Sequence, residues 1–284
     1  AAPGIVEGLV STAACPDAPA RCQATCGLRR LAEHAACRPR IVAAGGLEAL
    51  ADSGLQPAVE EQREAAGCLS NLALDDGSKA PMARHRVLRT TIELCKSGDA
   101  ETARHATGAI ANLAEDREAH ARLVSEAGVH FVIQLMWSKH LPVYREATRA
   151  MANLAASRAV HKTFLAENGM RALIRVAKIG DSDKPLAYCA ALALRNVLVN
   201  AETHASCVEN AGIAPMLALC RAEQLPTKIH AATALRDLCA DPAYKLRLQE
   251  SGAGTLAAEL MASSSVPLRA LGATCVRYLC IKPL

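Results

Sequence analysis

Residues 103–114 read A-R-H-A-T-G-A-I-A-N-L-A, a run of small residues with one asparagine, Asn112, near its end. The pattern returns along the whole chain. Around Asn71, Asn153 and Asn196 an apolar residue again lies two places before the Asn and another one place after it, with a small residue three places before. Asp237 takes the Asn position near the end. Extended outward, this ruler runs Arg30, Asn71, Asn112, Asn153, Asn196, Asp237, Tyr278, at spacings of 41, 41, 41, 43, 41 and 41 residues. Such a period is the mark of a stacked repeat, in which each unit buries its apolar face only against its neighbours.

A second ruler agrees with the first. Gly46, Gly128, Gly169 and Gly212 each follow a ruler position by 16 residues, with Gly252 one place off, Gly4 a period earlier, and Val87 standing where the third unit's glycine is expected. Six residues before the ruler stand Ala24, Ala65, Ala106, Ala147, Ala190, Ala231 and Gly272, all small. Two before it stand Leu28, Leu69, Ile110, Met151, Leu194, Leu235 and Val276, and Leu or Val follows it by one. Offsets of three and seven residues share one helical face, so these columns form the buried side of a helix that neighbours approach closely.

Between rulers the chain breaks into further helices. Residues 116–126 form a short charged segment with Leu123 and Val124 as its apolar contacts. Gly128 reads as a left-handed cap that lets the chain turn. Residues 129–137, with Phe131, Val132, Leu135 and Met136, read as the most buried helix of the unit. Pro142, Pro185 and Pro226 sit where a long helix starts, a place that tolerates proline. Two loops are irregular, residues 11–20 with Pro16 and Pro19, and a two-residue insertion around 180–184. The expectation is an all-α solenoid of about seven three-helix units filling residues 1–284 as one array, with units at 4–45, 46–86, 87–127, 128–168, 169–211, 212–252 and 253–284. The chain opens at Ala1, without methionine and inside a unit, which suggests a piece of a longer protein.

Composition suits stacked helices and argues against several other classes. Half of the residues are apolar (51%) but only 2% are aromatic, so the core relies on close approach of small side chains. The net charge is +4, split as 15 Lys/Arg against 17 Asp/Glu in residues 1–142 and 17 against 11 in residues 143–284. The second half thus invites an acidic partner, at a charge density well short of a dedicated nucleic-acid binder. The 12 cysteines form no C-x-x-C and no zinc-finger spacing. Cys68 and Cys275 occupy the small-residue column three before the ruler, and Cys22 and Cys26 lack further ligands. Thiols used this way read as packing in a reducing compartment, with no metal site. No apolar run reaches the ~20 residues of a membrane span. H-E-x-x-H, G-x-S-x-G and Walker-type loops are absent. Residues 252–257 read G-A-G-T-L-A, but a helix precedes them where a dinucleotide fold needs a strand. The nine histidines read as scattered, apart from His105 and His230, which share a column seven before the ruler. No catalytic residue and no cofactor is expected.

The segments G-A-I-A-N-L-A, R-A-M-A-N-L-A and A-L-R-N-V, two of them followed 16 residues after the Asn by a glycine that opens an apolar helix and the third by Gly212 likewise, resemble the armadillo repeat over residues 4–280. The resemblance implies a right-handed α-solenoid, non-enzymatic, whose third helices line a concave groove holding extended segments of other proteins. It further implies that Asn71, Asn112, Asn153 and Asn196 hydrogen-bond the backbone of such a segment, with Asp237 an altered rung and Arg30 and Tyr278 outside the pattern. An amide both donates and accepts, which matches a peptide bond. It equally suits an Asn that bonds backbone within the stack and fixes it. Both roles stay open at this point.

Followed back along the same face, His105 and His230 stand seven before their rungs and Arg149 four before Asn153, where it points into the groove. Importin-α-type arrays carry Trp at that last offset, whereas the single Trp137 lies on another helix, so the resemblance does not extend to import of basic cargo. Arg63, Arg104 and Arg145, eight before their rungs, and Arg195, Arg236 and Arg277, one before theirs, form a basic stripe that either attracts an acidic segment or edges a solvated helix in surface ion pairs. In style the repeats resemble vacuolar-membrane adaptors and armadillo proteins of the ciliary axoneme. The implied role is a cytoplasmic scaffold or adaptor, cytoskeletal, ciliary or peripheral to a membrane, with protein partners. Alternatives are a structural component of a large assembly such as an axoneme, and the substrate-recognition part of a ubiquitin ligase.

Overall fold

Residues 4–279 are described by a computed structural model, the side chains of His85 and Asp181 excepted. They contain twenty α-helices and four short 3-10 turns, with no strand among the described residues. The outer ends of the expected array, residues 1–3 and 280–284, lie outside the described residues. The helices cluster into two compact units, Ala1–Leu154 and Ala155–Leu284, a division that falls after the long helix of the fourth repeat.

Seven long helices carry the ruler: Ala18–Ala32, Val59–Leu72, Ala100–Leu113 and Leu141–Leu154 in the first unit, Lys184–Leu198, Leu225–Cys239 and Val266–Leu279 in the second. Their starts follow from side-chain chemistry. Asp17, Asp99 and Asp183 accept from the N–H of Ala20, Thr102 and Leu186, filling donors that a helix start leaves open. Pro185 and Pro226 sit in first turns, as expected. The irregular stretch 11–20 is shorter than its prolines suggest. One helix runs to Ala13 and the next begins at Ala18, because Pro19 falls in a first turn where its missing N–H costs nothing.

Within each unit the long helices, hereafter the third helices, pack side by side, and each also lies on the shorter helix that precedes it. The small column makes this possible. Ala65, Ala106, Ala147, Ala190 and Ala231 are fully buried, and a Cβ on Gly272 would stand 2.6 Å from the Ala257 carbonyl. Leu69, Leu113, Leu154, Leu194 and Leu235 fill the space beside them with no exposed surface, each contributing on the order of 1.5–3 kcal/mol by burial. The helix Gly128–Leu135 is not the most buried of its unit. Val129, Val132, Ile133 and Met136 are buried, but Phe131 and Leu135 are half-covered and Trp137 is 43% exposed. Within each compact unit a third helix packs against like helices as well as against the shorter helix before it, which leaves it less surface to expose.

The turn before each second helix also differs from expectation. The left-handed residue is not Gly128 but the one before it: Gly4, Gly45, Ala127, Asn168, Ala211 and Gly252 all have φ between 56° and 87°. Gly4 and Gly252, offset in the sequence column, are therefore regular members of this one. Gly128 and Gly212 are glycine for another reason: a Cβ there would meet the Leu123 carbonyl at 3.0 Å or the Cys207 carbonyl at 2.9 Å. Where Val87 replaces the glycine, the chain enters its helix through an extended Arg84 instead.

Candidate interaction face on the third helices

The rung asparagines are tied into the stack. Asn71 Nδ2 donates to the carbonyl of Arg29 at 3.3 Å, Asn112 Nδ2 to that of Ser70 at 3.2 Å, and Asn153 Nδ2 to that of Ala111 at 3.1 Å. The acceptors are chosen by helix geometry. At the end of Val59–Leu72 the closing turns use the carbonyls of Leu69, Asn71 and Leu72, and at the end of Ala100–Leu113 those of Ile110, Asn112 and Leu113. Ser70 and Ala111 are passed over, and the next repeat's Asn fills each vacancy, as the last-turn carbonyls of any helix demand. Of the two roles the sequence left open, bonding between adjacent repeats is therefore present in the first unit. The oxygens of Asn71 and Asn153 take no donor among the described residues. Asn196, also half-buried, is engaged as well.

Asn112 is the most buried rung, at 4% exposure, because Arg149 closes over it. The guanidinium gives Nη1 to Asn112 Oδ1 at 2.8 Å, Nε and Nη2 to Glu146 Oε2 at 3.0 and 2.7 Å, and Nη2 to the Gly108 carbonyl at 3.4 Å, with Glu115 at 3.5 Å. Gly108 lacks the side chain that would crowd Ser70 Oγ, at 3.2 Å, and Glu146. Glu64, in the column of Glu146 two repeats earlier, takes its arginine from the preceding third helix instead: Arg29 Nε donates to Glu64 Oε2 at 2.6 Å, beside Gly67. The Glu64 hydrogen bond holds the Arg29 proton more tightly than usual. His105 lies beside this surface, accepting from Arg104 at 3.0 Å. Burial first, and Arg104 second, push its imidazole pKa down, favouring the neutral ring.

The basic stripe of the first unit is paired internally. Arg63 makes a two-armed bridge to Asp99 at 2.8 and 3.1 Å, Arg104 bridges to Glu101 at 2.8 Å, and Arg145 is engaged too. In the second unit Arg236 folds onto Asp237, its own neighbour, at 2.6 and 2.8 Å. Arg195 instead reaches His230 Nδ1 at 3.3 Å, and the Tyr188 ring stands edge-on to that histidine at 5.4 Å. Burial, then Arg195, lowers the pKa of His230, so it receives Arg195 as a neutral acceptor. Arg277 lies over the ring of Tyr278 at 5.7 Å.

One column escaped the sequence reading. Arg38, Lys79, His120, His161 and His204 each stand eight residues after a rung, so three of the histidines are not scattered. Nε2 of His120, His161 and His204 donates at 2.8 Å to the carbonyls of Ala114, Ala155 and Leu198, and Arg38 Nε donates to Ala32 at 2.9 Å. A nitrogen donor here caps the carbonyl end of a long helix, where positive charge is also favoured. The 41- and 43-residue spacing of the three histidines was the available signal. His204 also meets Asp241 at 3.0 Å, and this hydrogen bond holds the Asp241 carboxyl below the usual range. Among the described residues no group of three or more His, Cys, Asp or Glu is placed to hold a metal ion, and no helix is long and apolar enough to cross a membrane.

Set beside known proteins, the chain matches no family model and no curated protein sequence. Its fold has close counterparts among solved structures. An engineered protein superposes with a TM-score of 0.88 at 25% identity, covering 98% of this chain and 69% of that one. A designed armadillo repeat protein superposes at 0.75 with 19% identity, and another, solved in complex with the peptide (KR)4, at 0.74 with 18%; each covers 82% of this chain and 99% of its own. At such identities the likeness establishes the fold, an all-helical armadillo-type repeat solenoid.

Proposed function

We propose that this protein is a non-enzymatic scaffold or adaptor that holds extended segments of partner proteins along its third helices. The observation that carries the reading is that Asn71, Asn153, Asn196 and Asp237 stand half-exposed at one offset of their third helices, while the small and apolar columns of the same helices are buried. Its rungs present fixed polar atoms at a regular step. Because Asn71, Asn112 and Asn153 each spend one of two Nδ2 hydrogens on the preceding repeat, a bound segment's N–H groups would find the oxygens of Asn71 and Asn153, and its carbonyls the second Nδ2 hydrogens of those two. That a designed armadillo protein takes a peptide supports the same mode here.

The test is selection of peptides from a random displayed library against the whole chain, followed by calorimetric titration of the best binder. Asn71→Ala and Asn153→Ala should each weaken it about five- to tenfold, the worth of roughly one hydrogen bond. Glu118→Lys, exposed on a first helix, should leave it within twofold. Binding that responds to Glu118→Lys and ignores both third-helix changes, or a library that yields no binder, would refute the proposal.

A further inference from the structure

The third helices of the two units differ in charge in a way their shared fold does not require. Those of the second unit carry six Lys or Arg (Lys184, Arg195, Lys228, Arg236, Arg269, Arg277) against a single acid, Asp237. Those of the first unit carry seven against five. In the first unit Arg29, Arg63, Arg104 and Arg149 are each bridged to a carboxylate of the same chain. In the second unit the only acid of the third helices is already bound by Arg236. Neither Arg195 nor Arg277 meets a carboxylate among the described residues, and both are exposed.

These two arginines stand at the same offset on helices two repeats apart, with Arg236 between them. Exposed rings flank them: Tyr188 at 37% and Tyr278 at 40% exposure. Each ring is braced, Tyr188 edge-on to His230 and Tyr278 under Arg277. His230 also accepts from Arg195 and so fixes its direction. Side chains already held in place lose little freedom when a ligand arrives, which favours binding.

We propose that the third-helix face of the second unit recognises an acidic, extended segment of a partner protein, its carboxylates meeting Arg195 and Arg277 and its apolar side chains lying on Tyr188 and Tyr278. This rests on the scaffold reading above and adds the place and the charge of the ligand. Packed helices lie about 8–10 Å apart, so two steps span roughly 16–20 Å. An extended chain advances about 3.3 Å per residue, so acids about six residues apart reach the two arginines from one side of the strand. A carboxylate at each gains a bond to a planar, permanently charged donor.

The experiment is fluorescence anisotropy of the full chain with labelled eight-residue peptides, (Glu-Asp)4, (Lys-Arg)4 and (Ser-Gln)4, together with a single-stranded oligothymidine. The expected result is that (Glu-Asp)4 binds at least tenfold more tightly than the other three, and that its affinity falls with salt. The pair Arg195→Gln with Arg277→Gln should then lose at least tenfold, with the far-ultraviolet circular dichroism unchanged. Arg63→Gln with Arg104→Gln should stay within twofold. Tighter binding of (Lys-Arg)4 or (Ser-Gln)4 to the third helices would overturn the acidic assignment and leave the scaffold reading standing. Preference for the oligonucleotide would reassign the face to nucleic acid. Equal losses from the two arginine pairs would remove the assignment to the second unit. No binding of any peptide, with none selected from the library either, would overturn both readings.

Discussion

Replacing Asn112 by alanine removes one donor and one acceptor from a site only 4% exposed. The Ser70 carbonyl, which no backbone N–H at the end of its helix uses, loses its partner at 3.2 Å. Leaving a buried acceptor unmet costs about 1–3 kcal/mol. Arg149 loses Oδ1 at 2.8 Å but keeps both bonds to Glu146 and the Glu115 carboxylate, so this second loss is smaller, about 0.5–1.5 kcal/mol. Together they predict a destabilisation of about 1.5–4.5 kcal/mol. Asn153→Ala removes a single bond at a half-buried position, where water can take over part of the role, and should cost about 0.5–1.5 kcal/mol. Urea unfolding followed by circular dichroism reads both, provided the slope with denaturant is unchanged. Asn112→Asp keeps an acceptor for Arg149 but removes the donor and adds a negative charge, so it should strengthen the Arg149 contact while leaving the Ser70 carbonyl unmet. If Asn112→Ala costs no more than Asn153→Ala, the rung does not act through the Ser70 carbonyl and Arg149, and the reasoning fails.

Other outcomes follow from the same structure. Leu113→Ala, at a position with no exposed surface, should cost about 2–5 kcal/mol in the same assay, the usual large-to-small penalty. The turn before the second helices separates two glycine roles. Gly212→Ala should destabilise by about 1–3 kcal/mol through overpacking against Cys207. Ala127→Gly should instead stabilise slightly or be neutral, since it relieves a φ of 59°. For pH, the hydrogen bond from Arg63, then those from Thr102, hold the Asp99 carboxyl well below the usual carboxylate range. A depressed pKa contributes stability that is complete above the unfolded value, about 3.9, and is lost as pH falls toward the folded one. Asp99→Asn should therefore be less stable than the parent at neutral pH, and the gap should narrow in urea titrations taken down through about pH 4 to 2.

The period, the helical face and the position of every third helix were set by the sequence alone, because burial in a repeat array is local. Ala106, Ile110 and Leu113 need only their own helix and the next one along to be read as core. The glycine column was half legible. Spacing located the turn, but only backbone geometry divided it into a left-handed residue such as Ala127 and a close-approach residue such as Gly128. The site was less legible still. Identical asparagines in identical registers could have faced a ligand or a neighbouring repeat, and which carbonyl the Nδ2 of Asn112 would meet depends on how the previous helix ends, 42 residues upstream. Likewise an arginine stripe is one line in the sequence. Whether its charge is spent is decided by carboxylates brought alongside by packing, Asp99 at Arg63 but a neutral histidine at Arg195. Hydrophobic periodicity is a property of a helix and can be read from it, whereas the pairing of polar side chains belongs to the contacts between helices, and those only the tertiary structure decides.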